Sequence, residues 1–133
     1  MSLGGIVVAA GRGERFGRTK AGVEVVGIPM WQRATRLLEA ARAGRVVVDG
    51  EVPGGVAGGA RRRDSVANGM AALGDGLEYV LIHDAARPLA STTLAGRVVA
   101  RLRRGDVDGV IPVVPVRDTL KRVAGERVEG TVD

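Results

Sequence analysis

Cysteine is absent from this chain of 133 residues, histidine occurs once, and phenylalanine, tryptophan and tyrosine occur once each. The missing thiols exclude disulfides, thiolate nucleophiles and cysteine-ligated metals. Any metal must then be held by oxygen ligands, which favours magnesium. Phe16, Trp31 and Tyr79 are too few to build a base-stacking platform, so the net charge of +5 reads as an arginine-rich solvated surface rather than a nucleic-acid interface. No apolar run approaches the roughly 20 residues of a membrane span. Met1-Ser2-Leu3-Gly4 has neither the charge nor the apolar region of a signal peptide, so the expected location is the cytoplasm, with no membrane partner.

What the chain does have is an ordinary apolar fraction of 45% and 21 glycines. Its length predicts one globular domain with a real core. The informative glycines lie early. An unbroken apolar run over residues 6–10 has the length and β-branched content of a strand buried on both faces, and it ends at Gly11, Gly13 and Gly17 in a basic loop. Such a loop suits a phosphate: backbone N–H groups over residues 10–13 can approach an anion closely, while Arg12, Arg15, Arg18 and Lys20 surround it with charge. The spacing G-x-G-x-x-x-G is one residue too long for the dinucleotide fingerprint, and G-x-x-x-x-G-K-[ST] is absent. The plain alternative is a tight strand-to-loop turn.

Further along, residues 23–29 predict a short extended segment, and Pro29 opens a helix over 30–43. Ala34, Leu37, Leu38 and Ala41 mark its buried face and Gly44 its C-terminal stop. Residues 45–48 form a second strand, followed by a Gly- and Pro-rich loop over 51–59. Asp64 or Ser65 caps a helix through Val66, Met70 and Leu73 that Gly74 closes. Residues 79–83 are a third strand, Ser91 caps a helix through Leu94, Val98, Val99 and Leu102, and 109–114 are a fourth strand. The alternation predicts an α/β fold: a Rossmann-like, mostly parallel sheet with helices on both faces and its ligand crevice at the carboxyl ends of the strands. The end of the chain, 118–133, reads as two polar strands around a turn. A lone ribbon is marginal in water, so it is expected to project as an arm that packs on a second subunit.

Several motifs together resemble one family. They are Ala9-Ala10-Gly11-Arg12-Gly13-Glu14-Arg15, Gly58-Gly59-Ala60-Arg61-Arg62-Arg63-Asp64-Ser65-Val66, His83-Asp84-Ala85-Ala86-Arg87-Pro88, and Pro115-Val116-Arg117-Asp118-Thr119-Leu120-Lys121-Arg122 with Thr131-Val132-Asp133. The first is shared across nucleotidyltransferases. The others, in this order, look like the 2-C-methyl-D-erythritol 4-phosphate cytidylyltransferases of the non-mevalonate isoprenoid pathway. The resemblance implies transfer of a cytidylyl group from CTP to that polyol phosphate, releasing pyrophosphate.

By position, it implies that Ala9, Ala10, Gly11, Arg12, Gly13 and Ala85 lie along the nucleotide. Gly59 and Ser65 would read the cytosine edge, and Arg15 and Lys20 would steady the reacting phosphate. Asp84 would hold Mg2+, and Arg87 and Thr119 would face the polyol phosphate, with Thr119 and the ribbon supplied by the partner in a homodimer. Between Arg15 and Lys20 the loop is shorter than in familiar members, and Thr19 replaces a usual proline. Family members are also considerably longer, with an arginine just after Thr-Val-Asp and, in a further C-terminal part, an acidic metal ligand and a lysine.

Plainer readings stand beside these. The single histidine, His83, reads as a hydrogen-bonded packing residue, Trp31 as core or edge packing, and Arg61, Arg62 and Arg63 as a solvated charge run. Asp84 could simply satisfy the amides of a turn. The competing functions are transfer to ribitol phosphate and an inactive nucleotide-binding or dimer-forming piece. A dehydrogenase is disfavoured by the glycine spacing, Asp49 being the one acidic residue that follows a second strand.

Overall fold

The computed structural model describes residues 2–11 and 22–132. At its centre β1 (Leu3–Val8) pairs in parallel with β4 (Arg45–Val48) on one side and β5 (Tyr79–Asp84) on the other, in the order β4-β1-β5. Strand periodicity divides β1 between two cores. Leu3 and Val7 join Ala34 and Leu38 of α1 (Met30–Ala40) and Val99 of α3 (Thr92–Leu102). On the opposite face Ile6 packs with Val47 and with Leu73 of α2 (Arg62–Leu73). Helices thus cover both faces, as alternating strands and helices predict.

The short extended segment is a tight hairpin, β2 (Glu24–Val25) against β3 (Ile28–Pro29), turning through Val26 at φ 53° and Gly27 at φ 68°. Both turn residues have the positive φ that a two-residue hairpin loop demands. From there Pro29 leads into α1, which buries Met30, Ala34, Leu37 and Leu38 on one stripe. The expected stop at Gly44 is corrected. The left-handed residue is Arg42, at φ 71°, and the amides of Arg42 and Ala43 bond back to Glu39 and Leu38 at 2.9 and 3.0 Å. The early stop drops Ala43 into the core and leaves the Gly44 amide to bond the Leu3 carbonyl at 2.8 Å, which aligns β4 beside β1.

Helix α2 also starts earlier than expected. Arg61 is its N-cap residue, and Asp64 acts from the first turn, its carboxylate accepting the Arg61 N–H at 3.1 Å. Its buried stripe is Ser65, Gly69 and Leu73, whereas Met70 is 45% exposed. Gly69 explains the choice: a Cβ there would lie 2.8 Å from Ile6 Cγ2, so the helix rests on β1 through its small residues. Ser91 caps α3 as expected, accepting the Leu94 N–H at 3.1 Å. Trp31 packs half-buried against the larger core.

The expected fourth strand is not formed. Residues 109–114 make no ladder, and Ile111, Val113 and Val114 are 82–84% exposed. An apolar run becomes a buried strand only where it pairs with a sheet edge under a covering layer; among the described residues 109–114 pair with neither edge of the β4-β1-β5 sheet. Beyond it, β6 (Lys121–Ala124) and β7 (Arg127–Thr131) form the expected antiparallel ribbon, with Gly125 at φ 59° in its turn.

Candidate functional site

The three parallel strands end side by side, and their exits are stitched together. In register, Val7 sits opposite Val48 and Val8 opposite Asp84. The Asp49 N–H then donates to the Val7 carbonyl at 3.0 Å, and the Ala85 N–H donates to the Val8 carbonyl at 2.9 Å. This edge therefore gathers Ala9, Ala10 and Gly11 after β1, Asp49 after β4, and Asp84 and Ala85 at the end of β5. Ala9 and Ala85 are buried, while Gly11 is exposed.

A second group comes up beside Ala10. A Cβ on Gly58 would lie 2.2 Å from the Cβ of Ala10, so only glycine fits there without displacement. Next to it the Gly59 N–H donates to the Ser65 hydroxyl at 3.0 Å, with Ser65 only 2% exposed. The Ser65 O–H remains a donor, and among the described residues none donates to the Gly59 carbonyl. One donor and one acceptor are thus held side by side at the start of α2.

Asp84 is not solitary. Its Oδ1 accepts from Arg62 at 2.9 Å, and the Arg87 guanidinium lies 3.7 Å from Oδ2. Arg62, read from sequence as part of a solvated run, is exposed but engaged; its neighbour Arg61 pairs with Asp64 at 3.0 Å. Partners 22 positions apart are invisible to local patterning. Among the described residues no group of three or more His, Asp or Glu side chains gathers for a metal. A single carboxylate nonetheless fits magnesium, which commonly binds through one or two carboxylates, substrate phosphates and water.

His83 donates its Nε2 proton to the Arg87 carbonyl at 3.2 Å, since a carbonyl can only accept, and so ties the 84–87 turn to β5. Burial holds its pKa below 6.5. That carbonyl and Asp84 pull upward and Arg87 adds a smaller downward push. The packing role expected of it agrees with this geometry. Arg87 itself is exposed. Thr119 is exposed at the foot of the ribbon, and among the described residues no hydrogen bond or ion pair joins it to the 84–87 turn. Arg12, Gly13, Arg15 and Lys20 lie outside the described residues.

The residue that sequence reasoning missed is Asp49. Fully buried, it accepts through Oδ1 from the amides of both Ala9 and Ala10, the latter at 3.1 Å. The Ala10 amide, expected to serve a phosphate, therefore already has a partner. The only sequence signal was an acidic residue following a second strand.

Among the described residues no helix is long and apolar enough to cross a membrane. The model of the 2-C-methyl-D-erythritol 4-phosphate cytidylyltransferase family matches residues 3–133. A cytidylyltransferase of that name from Rhodococcus jostii is 45% identical over 89% of this chain and 58% of its own. The bifunctional enzyme IspD/IspF of Solidesulfovibrio magneticus is 38% identical over 99% of this chain and 40% of its own. The crystal structure of the Thermus thermophilus cytidylyltransferase superposes with a TM-score of 0.75 at 31% identity, covering 96% of this chain and 62% of that one. The chain thus spans 40–62% of the length of these proteins.

Proposed function

The chain belongs to the 2-C-methyl-D-erythritol 4-phosphate cytidylyltransferase family, and from that premise we propose that it transfers a cytidylyl group from CTP to 2-C-methyl-D-erythritol 4-phosphate in isoprenoid precursor synthesis. A phosphate oxygen of the acceptor attacks the α-phosphorus of CTP. The new P–O bond forms as the bond to the pyrophosphate oxygen breaks, giving the CDP-polyol and pyrophosphate. The attacking oxygen is already anionic near neutral pH, so no side chain need remove a proton. Catalysis is positioning and charge neutralisation.

The observation that carries this proposal is the convergence of Ala9–Gly11, Gly59–Ser65 and Asp84–Ala85 at one edge of the sheet. Ser65 and Gly59 present a hydroxyl donor and a carbonyl acceptor of the kind that distinguishes a cytosine edge from a purine. Ala9, Ala10, Gly11 and Ala85 form the wall for the nucleoside, and Arg12 and Gly13 bind its phosphates. Arg15 and Lys20 neutralise charge that builds on the α-phosphate. Arg87 faces the acceptor phosphate, joined by Thr119 of a second copy brought in by the 118–133 arm, which makes the working unit a homodimer in the cytoplasm. Asp84 would hold Mg2+, which when bound neutralises the triphosphate; Arg62 and Arg87 hold the carboxylate meanwhile.

Pyrophosphate release with CTP and magnesium tests the proposal, with methylerythritol phosphate and ribitol phosphate compared as acceptors. Release with the first acceptor alone is expected. Equal rates would overturn the acceptor, and CTP binding without release would leave a nucleotide-binding protein in place of a transferase.

A further inference from the structure

Asp49 is absorbed by none of the chemistry above, yet it is a fully buried carboxylate at the edge where that chemistry would occur. Its Oδ1 serves two successive amides, those of Ala9 and Ala10. Its Oδ2 is buried with no hydrogen-bond partner among the described residues. A half-satisfied buried carboxylate is a poor device for stability alone, because desolvating it costs more than an apolar side chain would. Two neighbours complete the arrangement. Gly50, at φ 108°, passes so close that a Cβ would lie 2.9 Å from the Ala10 nitrogen, and on the Cβ side of Ala10 a Cβ added to Gly58 would overlap the Ala10 methyl. Ala10 is thereby clamped.

We infer that Asp49 is a positioning residue of the nucleotide site: with Gly50 and Gly58 it fixes the peptide between Ala9 and Ala10 before any ligand arrives. A trans peptide carries its C=O opposite its N–H. With the Ala10 N–H held by Asp49, the Ala9 carbonyl faces away from that carboxylate, and among the described residues nothing donates to it. Gly11 then leaves from one set direction. The ordering cost of that peptide falls on folding rather than on binding. This role rests on the nucleotide reading proposed above.

The test uses the full 133-residue chain, labelled for NMR, with Asp49→Ala, Asp49→Asn and, as a control in the core away from this edge, Val99→Ala. In Asp49→Ala the amides of Ala9 and Ala10 are expected to exchange about tenfold faster or more, while those of Val47 and Leu81 hold. The Kd for CTP with magnesium should weaken by about tenfold or more. Asp49→Asn keeps an acceptor oxygen and should restore that Kd to within about threefold, while shifting the Ala9 and Ala10 amide protons as the charge-assisted bonds are lost. Val99→Ala should lower the unfolding midpoint and leave the Kd alone.

Unchanged exchange in Asp49→Ala overturns the clamp itself. If that variant does not fold, unmoved Ala9 and Ala10 shifts in Asp49→Asn do the same. A native-like CTP Kd in Asp49→Ala, or an equal weakening in Val99→Ala, overturns the positioning role. Should the native chain bind no CTP while the two amides respond, the nucleotide reading fails and takes the positioning role with it, leaving Asp49 a brace of the fold.

Discussion

The sheet around β1 and the stretch from residue 107 onward are built from the same material, short runs of β-branched residues, yet they end in opposite states. Ile6 and Val7 are wholly buried, whereas Ile111 and Val113 are more than four-fifths exposed and Val128 is 64% exposed. Every strand of the sheet has a crossover helix to cover a face; among the described residues the ribbon strands are bonded to each other, with the Val132–Leu120 backbone bond and the Lys121–Thr131 side-chain bond. Strand propensity therefore decides the local conformation, and a second layer decides whether that conformation is worth free energy.

The largest expected effect tests that contrast directly. Ile6→Ala removes a fully buried side chain that packs with Val47 and Leu73, and should cost about 2–5 kcal/mol in urea unfolding. Val128→Ala should cost less than about 0.5 kcal/mol by the same measurement. A Val128 loss comparable with that of Ile6 would break the comparison, because the ribbon would then be packed on a surface outside the described residues.

A smaller effect separates close packing from mere membership of the body. Gly69→Ala forces a methyl group to within 2.8 Å of Ile6 Cγ2. The expected cost of about 1–3 kcal/mol from overpacking is offset by about 1 kcal/mol of helix propensity. Gly96, also helical, has nothing within 4 Å of its would-be Cβ. Gly96→Ala should stabilise by about 0.5–1 kcal/mol. Thermal melts of the two variants check the pair, and a stabilising Gly69→Ala would show that α2 does not rest on β1 this closely.

A smaller effect still concerns the ribbon's partner. If a second copy covers it, amide exchange over 121–131 should slow as protein concentration rises, in step with dimer formation by sedimentation. Exchange that stays fast at every concentration would leave the ribbon as exposed as it is in the single chain.

Much of this architecture is legible in the residues. The apolar runs at 6–10, 45–48 and 79–83 announce parallel strands because burial on both faces leaves no polar alternation, and the serine before α3 announces its cap. The misses share a cause. Val66, Met70 and Leu73 mark the helix, but Gly69 lets it approach so closely that the buried stripe falls on Ser65, Gly69 and Leu73. Residues 109–114 read as a strand, although composition cannot state whether an edge awaits them. Asp49-Gly50 looks like any turn, and only the register of β4 against β1 places that carboxylate under Ala9 and Ala10. The Arg62–Asp84 pair hides for the same reason. The meeting of the motifs at the strand ends was legible; its bracing was not, because bracing is made of contacts between distant segments.

The smallest expected effect draws the same line between the two regions by pH. The chain's only histidine lies in β5 and none lies in the ribbon. Burial lowers the His83 pKa below 6.5. Between the folded and unfolded values the unfolded chain therefore binds more protons, so stability rises with pH there. This contribution is fully present above pH 6.5 and is lost as pH falls through the lower folded value. His83→Gln keeps a side-chain N–H able to reach the Arg87 carbonyl and removes the titration, so the acid-side decline should flatten for reporters in the sheet, such as Tyr79 fluorescence. Ribbon amides should show no such step in either protein. An unchanged acid limb in His83→Gln would show that the decline does not come from His83.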